Sequence, residues 1–166
     1  DANHGIHVAD VGGISVAFLS YTYGLNGFRL PQGEEYAVNL FNLDYYTTLS
    51  DPDYDRLQAD LEAARALDAD LIAVIIHWGV EYQNAPNTYQ TNMARFLVEQ
   101  GADLVLGSHP HVLQPYETIS VSGRDLCATP WATSSPTSRT WRPAPRRCWS
   151  WSSPKTRGRE RPASPT

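Results

Sequence analysis

Three of the chain's five histidines fall in two short stretches, "IIHWGVEY" around His77 and "GSHPHV" holding His109 and His111. Neutral imidazole is a ligand for Zn, Mn, Fe or Ni, whereas Mg and Ca prefer oxygen. A histidine cluster is therefore first of all a candidate transition-metal site. Pro110 is expected to hold the backbone extended between His109 and His111, so that both rings leave on the same side. So placed, they bind one ion together or neighbouring ions separately; the plain alternative is a loop in which each ring bonds to backbone. Glu81 follows His77 by four residues. On a helix the two share a face, and Glu81 would orient a ligand histidine or touch substrate; on a loop it is a solvated carboxylate. Trp78 and Tyr82 either wall such a site or belong to the core. The sequence has no nucleophile elbow, phosphate-binding glycine loop or Cys–His pair.

The elements around these residues decide whether they meet. Gly5–Asp10 and Ile14–Tyr21 are β-rich and separated by Gly12-Gly13, a hairpin signal. Asp51-Pro52-Asp53 reads as a helix start with Asp51 as cap, followed by Leu57, Leu61, Ala64 and Leu67 at helical spacing. Leu71–Ile76 is an unbroken apolar run, as expected of a strand covered on both faces. A second helix is predicted over Thr88–Gln100, with Met93, Phe96 and Leu97 inward and Gly101 as its stop. "ADLVLGSH" supplies the next strand. Strand, helix, strand at this spacing is a βαβ unit with parallel, closely placed strands. His77 follows the first of those strands, and His109 and His111 follow the second. All three then emerge at the C-terminal edge of the sheet, where open α/β folds place ligands. Asp68, Asp70 and Asp103 precede strands at the opposite edge, and His4 and His7 are expected on the surface.

The chain of 166 residues has room for one domain, and its net charge of −5 conceals a division. Ahead of Cys127 five arginines face seventeen of the 18 acidic residues; beyond it seven arginines and Lys155 face Glu160 alone. The acidic body argues against a nucleic-acid partner, because it repels the phosphate backbone. Both cysteines, Cys127 and Cys148, lie in the basic tail. No apolar run is long enough to span a bilayer and no signal peptide is visible.

"IIHWGVEYQNAP", Gln90 and "VEQGADLVLGSHPHVLQPYE", in that order, closely resemble the bacterial capsule-synthesis CapA family, also called poly-γ-glutamate biosynthesis (PgsA-like) proteins; "ISVAFLSYTYGLNG" is similar to the strand and loop that precede those motifs. The resemblance implies an α/β fold, part of a calcineurin-like metallophosphoesterase double β-sandwich flanked by helices and incomplete at both ends. It implies His77, His109 and His111 as ligands in a two-metal site for Mn, Fe or Zn, with Glu81 as a supporting or substrate-binding residue. Ser108 stands where the family often has another His. A further N-terminal half, with an early Asp and an Asn-Asn-His motif, is expected ahead of Asp1, so the fragment alone is expected to be inactive and to bind metal weakly. The implied setting is the extracytoplasmic cell envelope, with membrane association only through that N-terminal part. The implied partners are an anionic polymer or a small phosphoryl or acyl substrate, together with other capsule-synthesis components. A non-catalytic envelope component handling an anionic polymer, and a generic metallophosphoesterase, remain as alternatives.

The family-like domain is expected to span residues 1–126. From Leu126 the chain becomes a run of Pro, Arg, Ser and Trp without period, "LCATPWATSSPTSRTWRPAPRRCWSW". Back-translated and shifted by one base, Ala128–Ser138 can spell Tyr-Ala-Leu-Gly-Asn-Phe-Ile-Ser-Asn-Gln, close to the "YSLGNF" strand-end motif of the family. The body has no Lys, which suggests GC-rich coding; such DNA read out of frame yields Pro, Arg, Ala and Ser. The expectation is that residues 127–166 are an out-of-frame translation, the rival being a genuine disordered basic tail. Resequencing the locus is expected to find a one-base slip near Leu126; independent reads with an intact frame through Ala128–Ser138 sink the idea.

Overall fold

The computed structural model describes residues 5–115, 117–121 and 124–130. They form a mixed α/β unit around one six-stranded sheet. Strand β1 (His7–Val11) and strand β2 (Ile14–Thr22) make an antiparallel hairpin turned by Gly12-Gly13, both at positive φ. Helix α1 (Tyr54–Ala66) leads to β3 (Leu71–His77), and α2 (Thr88–Glu99) leads to β4 (Leu104–Ser108). Strands β5 (Glu117–Val121) and β6 (Arg124–Pro130) complete the order β1-β2-β3-β4-β6-β5. β2, β3, β4 and β6 run parallel, and the edge strands β1 and β5 are antiparallel to their neighbours. This fits part of a metallophosphoesterase-like fold; the described residues contribute one sheet, and no second one is among them. The expected tail, 127–166, lies outside the described residues apart from the backbone of 127–130, which belongs to β6.

Both crossovers step in the same direction along the sheet, which for right-handed connections puts α1 and α2 on one face. Ala17, Leu19, Tyr21, Ile72, Val74, Ile76 and Val105 alternate onto that face and join Leu57, Leu61, Ala64, Met93, Leu97 and Val98 in a single core. The expectation of a strand covered on both faces is corrected here. Ile72, Val74 and Ile76 are buried, whereas Ile75 is 40% exposed, because the helices occupy one face only. The unbroken apolar run therefore has an ordinary two-residue alternation in its burial.

The helix ends are set by local bonds. Asp53, not Asp51, caps α1: its side chain accepts from the Arg56 N–H at 3.0 Å. Asp51 is committed elsewhere, its own N–H bonded to Asp44 and its carbonyl to the Leu43 N–H. α2 starts with a reciprocal capping box between Asn87 and Gln90 and ends before Gly101 at φ 105°. Leu57, Leu61, Ala64, Met93 and Leu97 are fully buried as their spacing predicts, while Leu67 at the end of α1 is largely exposed. At the N-terminal edge Asp70 accepts from both the N–H and the hydroxyl of Ser15, and Asp103 accepts from the Ile72 N–H. Those carboxylates tie strand starts together, far from the histidines.

One-sided burial has a measurable consequence. Ile76→Ala is expected to cost about 2–5 kcal/mol, as for other fully buried aliphatics, and Ile75→Ala about 0.5 kcal/mol or less, as for a surface position. Equal losses in denaturant titrations of the two variants would show that both faces are covered.

Candidate metal centre

Register brings the site together. Thr22 pairs with His77 and His77 pairs with Ser108, so three parallel strands end level. The residues at and just past those ends, Tyr23, His77 and His109, are thereby neighbours at the C-terminal edge. Backbone bonds continue past the strands: Tyr23 N–H to His77 O at 3.0 Å, Trp78 N–H to Ser108 O at 3.1 Å, and Tyr82 N–H to Pro110 O at 2.7 Å. The loop after β3 is in this way fastened to the loop after β4.

The three predicted histidines converge. The ring centroids of His77 and His109 are 4.6 Å apart, and those of His109 and His111 5.9 Å. The route differs from the one expected, because the His-Pro-His segment is not extended. His109 has φ 105° and His111 φ 58°, a region that residues with a Cβ seldom occupy and that costs on the order of 1–3 kcal/mol each. A sharp turn, not an alternating strand, sets these rings side by side. His7 is exposed as expected, and His4 lies outside the described residues.

Glu81 sits on a loop, so the shared helix face with His77 does not arise. Turns at Gly79 (φ 94°) and Tyr82 (φ 61°) carry it instead to His111, whose Nε2 is 3.6 Å from a Glu81 carboxylate oxygen. Tyr82 stacks on His111 at 5.8 Å, while Trp78 is buried in the core with its indole N–H unpartnered among the described residues. One ligand atom from each of Glu81, His109 and His111 lies within 4.8 Å of the other two. Ligands on opposite sides of a transition-metal ion stand roughly 4 Å apart, so small side-chain rotations close this group around a cation. Burial, then the neighbouring His109 and His111, lowers the pKa of His77 from its ordinary 6.5. Burial likewise lowers that of His109, with Glu81 opposing and His111 reinforcing the shift. Both rings are thus neutral at pH 7 with a lone pair to offer. The donor set fits a transition metal.

A buried amide pair holds the site loops. Gln90, at 2% exposure, donates to Gln114 Oε1 at 3.1 Å, and Gln114 donates to the carbonyls of Gln83 and Ala85. Gly79 lies against Gln90 so closely that a Cβ there would stand 2.7 Å from its amide. The residue that the histidine count missed is Tyr23. Its hydroxyl is 3.0 Å from His109 Nε2, and its ring lies 5.8 Å from that of His77. Its place one residue beyond the end of β2 was the available signal.

Residues 1–126 match the family described as Bacterial capsule synthesis protein PGA_cap. A stretch of 52 residues is 51% identical to the PGA biosynthesis protein CapA of Bacillus subtilis (strain 168), covering 31% of this chain and 14% of that protein. A stretch of 50 residues is 48% identical to the Capsule biosynthesis protein CapA of Bacillus anthracis, covering 30% of this chain and 12% of that one. Among solved structures, a hypothetical protein from Thermus thermophilus aligns with TM-score 0.49 at 19% identity, over 81% of this chain and 42% of its own; no argument rests on that likeness. No helix among the described residues is long and apolar enough to cross a membrane.

The lowered histidine pKa values fix a sign for pH dependence. The unfolded chain binds more protons than the folded one wherever the folded pKa lies below the unfolded value. The stability linked to His77 and His109 is therefore complete above the ordinary 6.5 and declines as pH falls from there towards their lowered values. Thermal unfolding of the metal-free chain is expected to show a lower Tm at about pH 5.5 than at about pH 8, with a smaller difference in His77→Gln. A difference unchanged by His77→Gln would assign the effect to other groups.

Proposed function

The chain belongs to the bacterial capsule synthesis protein PGA_cap family, and from that premise we propose that it is part of a CapA-like protein of capsule or poly-γ-glutamate biosynthesis, acting at the cell envelope, whose intact form carries a metal-dependent hydrolase-type site. In this reading His77, His109 and His111 hold divalent transition-metal ions, Mn, Fe or Zn, and Glu81 stands beside them. Such ions supply Lewis acidity and offset charge developing on a phosphoryl or acyl oxygen.

The observation that carries the reading is the meeting of three imidazoles and one carboxylate at the sheet edge, two of the imidazoles on strained backbone. Around the ions the chain's own groups have separable tasks. The neutral rings of His77 and His109 offer lone pairs without first releasing a proton. The Glu81 carboxylate, about half exposed, can accept a proton or a hydrogen bond from a group at the mouth of the site. Tyr82, 70% exposed and stacked on His111, offers an apolar surface beside it.

The test is made on the full-length protein that carries this segment. His109→Ala is expected to remove bound metal and to lower hydrolytic turnover by more than the roughly ten- to hundredfold typical of losing a supporting hydrogen bond. Metal analysis after extensive dialysis reads the first effect and capsule formation in a complemented strain the second. Full capsule formation by a His109→Ala protein without metal would favour a non-catalytic role in handling the polymer.

A further inference from the structure

Tyr23 belongs to the "SYTYGLNG" stretch, to which the proposed hydrolase site gives no task, yet it touches two of the three histidines. We propose that Tyr23 is a positioning residue: its hydroxyl oxygen accepts the Nε2–H of His109, fixing the tautomer in which Nδ1 carries the free lone pair and faces the cation pocket.

The hydroxyl lies 3.0 Å from His109 Nε2, so that nitrogen is occupied and Nδ1 is left as the ligating atom. A ligand histidine commonly has its second nitrogen held in this way, which sets both ring orientation and basicity. Burial and the nearby negative charge of Glu81 keep Tyr23 a neutral phenol, with oxygen lone pairs to accept from the imidazole. The phenol is itself anchored at several points. Its backbone N–H bonds to His77 O, and its carbonyl accepts from the Asn42 side-chain amide at 2.9 Å. Asn42 is 3% exposed and accepts in turn from the hydroxyl of Tyr89, on α2. The Tyr23 ring packs on His109 at 5.2 Å and on His77 at 5.8 Å. A group fixed from β3 and from α2 can impose an orientation on a ring that stands on strained backbone; a freely rotating surface tyrosine could not. Tautomer choice also bears on affinity, because the Nδ1–H form would need to move its proton before binding an ion.

The inference rests on the metal-site reading above, and the experiment separates the two. Long-range proton–nitrogen-15 correlation of the metal-free chain at about pH 8, where histidine is neutral, reports the tautomer of each ring. His109 is expected as the Nε2–H form, and in Tyr23→Phe, which keeps the aromatic packing, that preference is expected to be lost. Calorimetric titration with Zn²⁺ is expected to show roughly tenfold to hundredfold weaker binding in Tyr23→Phe with an unchanged Tm. His109 found as the Nδ1–H form in the unaltered chain, or a tautomer and Zn²⁺ affinity indifferent to the hydroxyl, overturns the assignment and leaves the metal site standing. Absence of Zn²⁺ uptake by the unaltered chain, with the tautomer shifting as expected, removes the metal reading and leaves the Tyr23–His109 coupling in place.

Discussion

The register of the parallel ladder through β2, β3 and β4 is the constraint on which the site depends. A parallel pair fixes both how far each strand reaches and which face each side chain takes. With Thr22, His77 and Ser108 as mutual partners, the residues that follow reach the same edge at the same height. The pleat that sends Ile72, Val74 and Ile76 into the helix-covered core sends His77 to the other face. A slip of one residue would bury the imidazole among aliphatics and expose Ile76 instead. Hydrophobic burial, which favours the present register, thus places the histidine as a by-product of packing the core. Stability and site geometry are fixed by the same interaction.

Beyond the strand ends, conformational restriction takes over from pleating. His109 and His111 both lie at positive φ, and such backbone persists only where its surroundings over-determine it. The surroundings are identifiable. Tyr82 and Trp78 bond across to the carbonyls of Pro110 and Ser108, and Gln114, paired with buried Gln90, holds the carbonyls of Gln83 and Ala85. Buried amides with satisfied partners are rigid, because breaking one bond strands a polar group away from water at roughly 1–3 kcal/mol. Gly79 permits this close approach, having no Cβ to strike the Gln90 amide. Gln90 also closes the capping box of α2, so one side chain joins the helix start to the site loops.

Much of this was legible in the chain, and what was not has a physical cause. Periodicity located both helices and the parallel strands, since burial of one face leaves its mark at every third or fourth residue or every second one. The convergence of His77, His109 and His111 at one edge follows from βαβ geometry alone. The shape of the His-Pro-His turn does not, because nothing local favours positive φ at His109 or His111, and the conformation is imposed by contacts from a distant loop. Glu81 was misplaced for a similar reason: four-residue spacing carries meaning only on a helix, and the turn at Gly79 takes that segment elsewhere. Leu71–Ile76 misled because apolar side chains on the open face read the same as core residues. Tyr23 went unnoticed because its significance depends on β2 lying beside β3, which crossover length alone does not settle.

The charge of the body bears on what the site can accept. Five arginines against seventeen acids ahead of Cys127 create a field that repels polyanions and draws cations towards the surface. The groups lining the site do not reverse that field: the rings of His77 and His109 are held neutral, and Glu81 adds a negative charge. An anionic substrate of the kind proposed would meet net repulsion at this edge unless a divalent ion stood between it and the protein. The same electrostatics that disfavour nucleic acid therefore make a bound cation a requirement for substrate approach as well as for chemistry. Neutral imidazoles suit that role, since they bind a metal without cancelling its positive charge, leaving it to be shared between Glu81 and whatever anion arrives.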